Sequence, residues 1–186
     1  MAMLSREALE QVGFASIGDH VLISDKVSFY GAERITIGSN VRIDDFCVIS
    51  AGEGGIIIGN YVHIAVFCSL IGSGSIALAD FSGLSSRVAI YSSNDDYSGE
   101  FMTNPTVPKE FTAVQHADVF VGRHAIVGSG SVILPGVEIE EGVAIAALSL
   151  ITKTCASFGV YSGNRRIGER KRNLLELEQQ LMNKIR

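Results

Sequence analysis

Four histidines and three cysteines are the residues of this chain best suited to chemistry, because imidazole titrates near neutral pH and a thiolate is a strong nucleophile. The histidines are His20, His63, His116 and His124, and the cysteines are Cys47, Cys68 and Cys155. An imidazole can act as a general base or bind a metal ion, and a cysteine can bind a metal ion or form a covalent intermediate. Which of these roles is open to each residue depends on the elements that position it.

Those elements follow a period of six residues in the C-terminal half of the chain. An aliphatic residue returns at every sixth position, at Val127, Ile133, Ile139, Ile145 and Ile151. Four residues after each of them stands a small residue or valine, at Ser131, Val137, Val143, Ser149 and Cys155. Neither a helix with 3.6 residues per turn nor an alternating strand gives this period. The pattern therefore predicts a solenoid of short repeats.

The same register extends towards the N-terminus. Its further pairs of first and fifth residues are Ile17–Val21, Ile23–Val27, Ile37–Val41, Ile43–Cys47, Ile58–Val62, Ile64–Cys68, Leu78–Ser82, Leu84–Val88 and Val121–Ala125. Each hexapeptide supplies one face and one turn of a triangular prism, and coils of three hexapeptides stack at about 4.8 Å. The first and fifth residues point inward, so all three cysteines are predicted to be small core residues. Glycine after the aliphatic residue, as at Gly18 and Gly38, is expected to ease the turn.

One long segment interrupts the repeat, from Ser92 to Asp118. It carries Pro105 and Pro108, lacks the six-residue register and is long for a loop without function. Its aromatic residues indicate an ordered arm that packs on the prism or on a neighbouring subunit; they are Tyr97, Phe101 and Phe111.

Both ends of the chain have helical patterns. Ser5 can cap a short helix with Glu7 in its first turn, and an apolar stripe follows from Leu174 to Ile185 on a charged helix that should close the open end of the solenoid. We therefore divide the chain into an N-terminal helical cap (1–14), a β-helix (15–163, with the inserted loop 92–118) and a C-terminal helix (164–186).

The composition excludes several classes of protein. With 186 residues and 47% hydrophobic residues the chain suits a single ordered domain, and its net charge of −5 argues against a nucleic-acid partner. No apolar stretch approaches the roughly 20 residues that span a bilayer, and no signal peptide is recognised at the N-terminus. An odd number of scattered cysteines does not form a disulfide framework, which favours the reducing cytoplasm.

From Ile17 to about Gly168 the chain resembles the hexapeptide-repeat acyltransferases, chiefly the maltose and galactoside acetyltransferases and the sugar N- and O-acetyltransferases of surface polysaccharide synthesis. The motifs that carry this resemblance are "VFVGRHAIVGSGSVILPGVEIEEGVAIAALSLITK" and "YSGNRRIGER". The resemblance implies a left-handed parallel β-helix, an all-β solenoid, whereas the spacing alone implies only a triangular solenoid. It also implies an acyl-CoA co-substrate, expected to be acetyl-CoA.

In this family the pantetheine arm of the cofactor lies in a groove between two subunits, against backbone amides of successive coils. The positions that carry this role over to the present chain are Ser129, Gly130, Ala147, Ser149, Thr152 and Lys153, with Arg165 and Arg166 beside the phosphates. Two departures from the family pattern stand out: Ala146–Ser149 replaces a Gly-Ala-Gly-Ser sequence, and Arg165-Arg166 replaces Pro-Ala. Contacts through the backbone survive the first departure, while the second changes the phosphate end.

The resemblance does not supply the general base, because the histidine that the galactoside branch carries before the long loop is replaced here by Asn94-Asp95. His20 and His124 occupy turn positions, and His116 closes the long loop. His63 occupies an outward sixth position in a coil that aligns with the acceptor side of the family's site, so it is the candidate base. Asp95 and Asp96 are expected either to orient the imidazole or to bind the sugar, together with Asn94 and Tyr97.

The sequence thus predicts a homotrimeric enzyme that transfers an acetyl group to an amino or hydroxyl group of a sugar, most simply a nucleotide-linked amino sugar. An O-acetyltransferase of a free sugar or galactoside is an alternative, and so is a non-catalytic solenoid scaffold. A γ-type carbonic anhydrase shares the fold, but His63, His116 and His124 lack the spacing of its zinc ligands, and no metal is expected. A covalent acyl-enzyme is not expected either, since the cysteines point inward.

Overall fold

The structure is a computed structural model that describes residues 2–185. Its centre is a triangular prism whose three faces are parallel sheets, with sequential strands placed on successive faces. The first face contains β1 (Ser16–Ile17), β4 (Ile35–Ile37), β7 (Ile56–Ile58), β10 (Ile76–Leu78), β15 (Val119–Val121) and β18 (Glu138–Ile139). The second contains β2 (Leu22–Ile23), β5 (Arg42–Ile43), β8 (His63–Ile64), β11 (Gly83–Leu84), β16 (Ile126–Val127), β19 (Ala144–Ile145), β21 (Gly159–Ser162) and β22 (Arg165–Glu169). The third contains β3 (Ser28–Tyr30), β6 (Val48–Ala51), β9 (Ser69–Gly72), β12 (Ala89–Tyr91), β17 (Val132–Ile133) and β20 (Leu150–Ile151).

This architecture is the left-handed parallel β-helix, as predicted. The stacked coils are in register, so Arg42 pairs with His63 and His63 pairs with Gly83 on the second face. The predicted first and fifth positions fill the interior, and Ile43, Ile64 and Ile133 are completely buried. All three cysteines are buried and reduced, which confirms that they are core residues.

The turns of the prism depend on the fourth residue of the hexapeptide rather than on the second. The backbone angle φ lies between 55° and 62° at these positions, in the left-handed region: His20, Asn40, Tyr61, Phe81 and His124 at the first corner, and Phe46, Phe67, Arg87 and Leu148 at the second corner. Glycine stands at the second position because a Cβ there has no space, and not because it eases the turn, so the predicted reason was wrong. A Cβ on Gly38 would lie 2.7 Å from the carbonyl carbon of Gly59, and one on Gly122 would lie 2.7 Å from that of Glu140.

The long insertion leaves the third face as an antiparallel pair, β13 (Ser93–Asn94) with β14 (Gln115–His116). Beyond this pair, Met102 bridges to Thr112, and a 3-10 turn covers Lys109–Phe111. Tyr97 at the tip is 86% exposed. The insertion is therefore an ordered arm whose aromatic side chains find little cover within one chain.

At the N-terminus the predicted cap is confirmed. Helix α1 (Arg6–Gln11) begins after Ser5, whose hydroxyl accepts a hydrogen bond of 3.2 Å from the Ala8 amide. The part of the chain described, residues 2–185, contains no helix with the length and apolar character needed to cross a membrane.

The C-terminal segment differs from the sequence prediction of one helix over 164–186. Residues Arg165–Glu169 form strand β22, which folds back on β21 through Gly163 in a left-handed conformation, and α2 begins only at Asn173 and ends at Ile185. Glu178 of α2 pairs with Arg123 and with the imidazole of His124, so the helix lies along the side of the prism and does not cover its end.

Candidate active site

His63 lies on β8 of the second face, and its imidazole is paired with a carboxylate from the preceding coil. His63 Nε2 is 2.8 Å from Asp44 Oδ2, and Arg42 Nε donates to Asp44 Oδ1 at 2.7 Å. Burial of the Asp44 carboxyl acts to raise its pKa, but the hydrogen bonds from His63 and Arg42 outweigh this effect and hold the pKa below the ordinary value. An ionised Asp44 accepts a hydrogen bond, so in the neutral imidazole the proton lies on Nε2 and Nδ1 carries the lone pair. This is the arrangement that a general base requires.

A groove of about 280 Å³, the His63 groove, opens beside this imidazole. It runs from His63 past Gly83 to Ile126, and Ser85, Ser86 and Ser129 line its edge at the second corner. The Ser85 and Ser86 hydroxyls have no hydrogen-bond partner within residues 2–185. The groove thus places polar groups without internal partners beside a histidine that can accept a proton.

Backbone donors form a column along the second corner next to the groove. The third residues of three successive hexapeptides, Ser86, Ser129 and Ala147, have N–H groups that find no acceptor in the described part of the chain. At the first corner the same position is closed by side chains in the early coils, since Ser39 N–H donates to Asn60 Oδ1 at 2.8 Å and Asn60 N–H donates to Asp80 Oδ1 at 2.7 Å, whereas the N–H groups of Asp80, Arg123 and Glu141 also find no acceptor in the described part of the chain. The column at the second corner differs in that it lies beside the His63 groove, where an extended ligand with amide carbonyls can use it.

The predicted cofactor positions divide into two groups. Ser129, Ala147 and Lys153 are exposed and have open N–H groups. Gly130 N–H donates to Ser86 O at 3.0 Å, and Thr152 N–H donates to Asn164 Oδ1 at 2.8 Å. Their N–H groups are thus bonded within the fold, and a contact of these two residues with the cofactor stays a prediction.

Ser149 is likewise hydrogen-bonded within the fold. It is 5% exposed because it occupies an inward fifth position, and its hydroxyl donates to Ala146 O at 2.7 Å. Arg165 and Arg166 are exposed on β22, and Arg166 pairs with Glu169 at 2.7 Å. Because Asn164 is bonded to Thr152, Arg165 and Lys153 project from the same end of the prism.

The loop residues line a second and larger cavity of about 680 Å³, the loop pocket, between the inserted arm and the third face. Asp95 lies in its wall together with Ser73, Lys109 and His116. Within residues 2–185, Asp95 and Asp96 form no hydrogen bond to His63, and the carboxylate beside the imidazole is that of Asp44.

Three residues of the arm that were predicted to bind the sugar or orient the imidazole, Asn94, Asp96 and Tyr97, contact only the arm itself or point to solvent. Asp96 accepts hydrogen bonds from Ser98 Oγ at 2.8 Å and from the Gly99 amide at 3.1 Å, and these contacts lower its pKa and fix the tip of the arm. Asn94 pairs with Gln115 in the arm's two-stranded sheet, and Tyr97 points to solvent.

His116, His124 and the cysteines have structural partners, and His20 is exposed at a turn. His116 Nδ1 is 2.8 Å from Ser93 Oγ, and His124 Nε2 is 2.7 Å from Glu178 Oε2. Burial raises the pKa of the Cys155 thiol to about 11, which disfavours the thiolate. Within residues 2–185, no three His, Cys, Asp or Glu side chains converge as a metal site.

Sequence reasoning missed Asp44, Ser85 and Ser86. The in-register stacking of the coils would have found Asp44, since Arg42 and His63 occupy equivalent positions in successive coils and Asp44 is two residues from Arg42. Ser85 and Ser86 follow the inward Leu84, where the repeat accepts small residues for purely structural reasons. No sequence signal separates them from other corner residues.

Comparison with known proteins gives two close similarities. The chain is 53% identical over 180 residues to a dTDP-4-amino-4,6-dideoxy-D-glucose acyltransferase of Escherichia coli, and the match covers 96% of this chain and 94% of that protein. It is also similar to crystal structures of AntD, an N-acyltransferase from Bacillus cereus. A variant in complex with dTDP and coenzyme A has a TM-score of 0.93 and 40% identity, over 98% of each chain. AntD with dTDP and 3-hydroxybutyryl-CoA has a TM-score of 0.92 and 39% identity, over 98% of this chain and 97% of AntD.

A maltose O-acetyltransferase from Clostridium difficile shares the fold, with a TM-score of 0.59 and 20% identity over 89% of this chain and 75% of that one. No family model matches the chain.

Proposed function

Since the chain belongs to the hexapeptide-repeat sugar acyltransferases, as its 53% identity to one of them over 96% of its length shows, we propose that it acylates the amino group of a dTDP-linked 4-amino-4,6-dideoxy sugar. The proposed donor is acetyl-CoA. The observation that carries this proposal is the column of open N–H groups that leads along the second corner to the His63 groove. A cytoplasmic location goes with it, because three reduced cysteines suit a reducing compartment. The acylated sugar would serve surface polysaccharide synthesis.

The cofactor would lie along the second corner. Its pantetheine amide carbonyls would accept hydrogen bonds from Ser129 and Ala147, and its phosphates would face the end of the prism where Lys153 and Arg165 project. Coils stack at about 4.8 Å, so each coil offers one donor to a linear ligand. In this orientation the thioester reaches Ser86 and the His63 groove in the fourth coil.

The reaction proposed there is direct attack of the sugar amine on the thioester carbonyl. The attack forms a tetrahedral intermediate whose oxyanion accepts a hydrogen bond from the open Ser86 N–H. His63 Nδ1 takes the proton that the amine loses, while Asp44 stabilises the imidazolium through Nε2–H. Collapse of the intermediate breaks the carbon–sulfur bond, and the proton passes to the leaving CoA thiolate.

The sugar nucleotide would bind with the help of Asp95 and the loop pocket. Structures of AntD have been determined for variants of one serine and one aspartate that are ten positions apart. Ser85 and Asp95 have the same separation in this chain, and so have Ser86 and Asp96. The Asp96 carboxylate is occupied by its own turn, so Ser85 and Asp95 are the pair proposed to act on the acceptor, with Asn94 and Tyr97 beside them.

A homotrimer is proposed because these parts lie at separate places in one chain. Ser85 lies in the His63 groove and Asp95 in the loop pocket, so the arm of one copy has to approach the groove of another to complete a site. Exposed apolar side chains support such contacts: Ile57 on the first face is 52% exposed, Ile126 on the second is 45% exposed, and Leu150 on the third is 54% exposed. Cyclic symmetry gives three equivalent sites. Light scattering should give three times the chain mass; a monomer at micromolar concentration would contradict the shared site.

The activity is tested by the release of free CoA thiol from acetyl-CoA. We expect turnover with dTDP-4-amino-4,6-dideoxyglucose and no turnover with the dTDP sugar that carries a hydroxyl at that carbon. Asp95→Asn should raise KM for the sugar or lower kcat at least about tenfold, while Asp25→Asn, at an exposed carboxylate after β2 in the first coil, should change neither. Turnover with free sugars or galactosides alone would instead favour the O-acetyltransferase, and absence of acyl-CoA binding would favour a scaffold.

A further inference from the structure

Gly83 is a glycine on the second face for which neither the backbone nor the packing gives a reason. It lies in strand β11 between His63 of the previous coil and Ile126 of the next. Its φ is outside the left-handed region, and a Cβ built there would meet only one atom, His63 O at 4.0 Å. Any L-residue would therefore fit this position.

At other positions of the prism the structure explains why glycine is present. Those at the second position of the hexapeptide, such as Gly38 and Gly122, are pressed against the next coil, and those at turns, such as Gly130 and Gly136, have a left-handed backbone. Gly168, in the hairpin after the last coil, also has room for a Cβ, but it meets Val160 at 3.8 Å beside an irregularity of the pairing. Among the glycines of residues 2–185, Gly83 combines free space for a Cβ with a position in the wall of the His63 groove.

A glycine inside a strand weakens the sheet and often marks the close approach of a ligand or of another backbone. On the second face, the missing side chain at Gly83 leaves a slot between the half-exposed side chains of His63 and Ile126. The slot is part of the His63 groove, next to Ser85 and Ser86. It opens at the coil that the thioester reaches if the cofactor lies along the second corner.

We propose that Gly83 determines which acyl groups the enzyme accepts, because the acyl chain of the donor lies in the slot between His63 and Ile126. This inference rests on the proposed function, since it uses the direction of the cofactor given there. The apolar Ile126 side chain forms one wall for the methylene groups, and the absence of a Cβ at Gly83 provides the floor. An acyl chain longer than acetyl therefore has space here, and a side chain at position 83 would remove it.

The test is a size series, Gly83→Ala and Gly83→Val, with Ala77→Val as the matched control. Ala77 occupies the equivalent outward strand position of the same coil on the first face, between Ile57 and Phe120, and does not line the groove. The dissociation constants of CoA, acetyl-CoA and butyryl-CoA are measured by calorimetry, together with kcat/KM for both thioesters. Thermal unfolding and light scattering are recorded for each variant.

We expect Gly83→Val to lower the ratio of kcat/KM for butyryl-CoA to kcat/KM for acetyl-CoA by about 10–200-fold. This is the range for a pocket that loses space for one or two methylenes. Gly83→Ala should lie between the wild type and the valine variant. Free CoA should bind equally to all proteins, and Tm should stay the same or rise by about 1–4 °C, since replacing an unstrained glycine restricts the unfolded chain. Ala77→Val should leave the acyl preference unchanged.

Three results would overturn the inference. An unchanged acyl preference would mean that the slot does not receive the acyl chain. An equal loss for both thioesters, with a raised KM for the sugar, would mean that the slot receives the acceptor. Loss of the oligomer in Gly83→Val alone would mean that a second copy fills it. Failure of the wild type to bind any CoA derivative would instead refute the proposed function on which the inference rests, so the two failures are distinguishable.

Discussion

Replacing Asp44 by asparagine tests whether His63 works as a base that a carboxylate assists. In the native protein, His63 Nε2 lies 2.8 Å from the Asp44 carboxylate. The exchange keeps the size of the side chain and its ability to accept this hydrogen bond, but it removes the negative charge. Opposite charges about 4 Å apart attract by about 1 kcal/mol in water and by about 4 kcal/mol near a protein surface. The His63 side chain is 53% exposed, so we take a value near the lower end, about 1–2 kcal/mol. If this attraction stabilises the imidazolium in the transition state, kcat should fall about 5–30-fold.

The assay is CoA release with acetyl-CoA and the dTDP-amino sugar across the neutral pH range. His63→Asn should lower kcat by about 10²–10⁴-fold, the usual contribution of a general base. The loss of kcat in Asp44→Asn should be the smaller of the two, because this exchange removes the counter-charge of a proton on His63 but leaves the imidazole in place. Affinity for CoA should barely change in either variant, since the cofactor is proposed to lie along later coils.

The double variant separates assistance to His63 from a structural role of Asp44. If Asp44 acts only through His63, adding Asp44→Asn to His63→Asn should cost almost nothing further in kcat. An equal loss in both backgrounds would refute the assisted base and assign Asp44 to the fold. An unchanged rate and pH profile in His63→Asn would refute His63 itself, and the departing thiolate would then take the proton directly from the amine.

Three further predictions concern the fold. Gly38→Ala should destabilise the protein by about 1–3 kcal/mol, because its Cβ would lie 2.7 Å from the carbonyl carbon of Gly59; a Tm equal to that of the wild type would contradict the crowded corner. Glu178→Ala should release α2, because the helix loses its pairing with the prism; limited proteolysis would show cleavage before residue 173, with kcat unchanged. The free energy of unfolding should fall in acid as Asp44 protonates. Its native pKa is below the unfolded value of about 3.9, so this stabilisation is complete above that pH and is lost as the pH falls through the native value; urea titrations of Asp44→Asn should show a flatter decline.

The interior of the fold could be predicted almost residue by residue, because a period of six fixes the direction of every side chain. Ile43, Cys47 and Ile133 were placed inside from spacing alone, and all are buried. The prediction that glycine at the second position eases the turn was wrong. Each turn needs one residue with a left-handed backbone, but the spacing of the repeat does not say which position holds it. The backbone angles place it at the fourth position, while crowding between coils sets the second.

The C-terminal prediction failed because a helical pattern does not define where a helix starts. Residues Arg165–Glu169 contain a single aliphatic residue, Ile167, and extend the sheet through a tight hairpin at Gly163. The apolar stripe of α2 faces the side of the prism and not its open end, and its position is fixed by the pairing of Glu178 with Arg123 and His124. Partners separated by such a distance in sequence leave no local signal.

In the candidate site, too, some residues could be predicted from the sequence and others could not. His63 could be selected from the sequence because its slot is outward, whereas Asp44 became visible only through the stacking of coils. At Ser149 the period predicts an inward side chain, which the structure confirms, while the place of this residue beside the cofactor stays a prediction of the resemblance. The period alone predicts burial, because burial follows directly from the geometry of the prism.

The same geometry explains how such a regular fold can bind a cofactor with few special side chains. In each hexapeptide at the second corner the amide of the second residue joins the parallel ladder, as Ser85 N–H does with Val127 O at 2.9 Å, and the amide of the fourth bonds to the preceding coil, as Gly130 N–H does with Ser86 O at 3.0 Å. The amide of the third residue is left without a partner at Ser129 and at its equivalents in the neighbouring coils. A column of donors at the coil spacing is thus a product of the backbone, whatever the side chains are. Binding of the pantetheine arm should therefore tolerate substitution along this corner, and selectivity should depend on the few outward side chains that shape the groove.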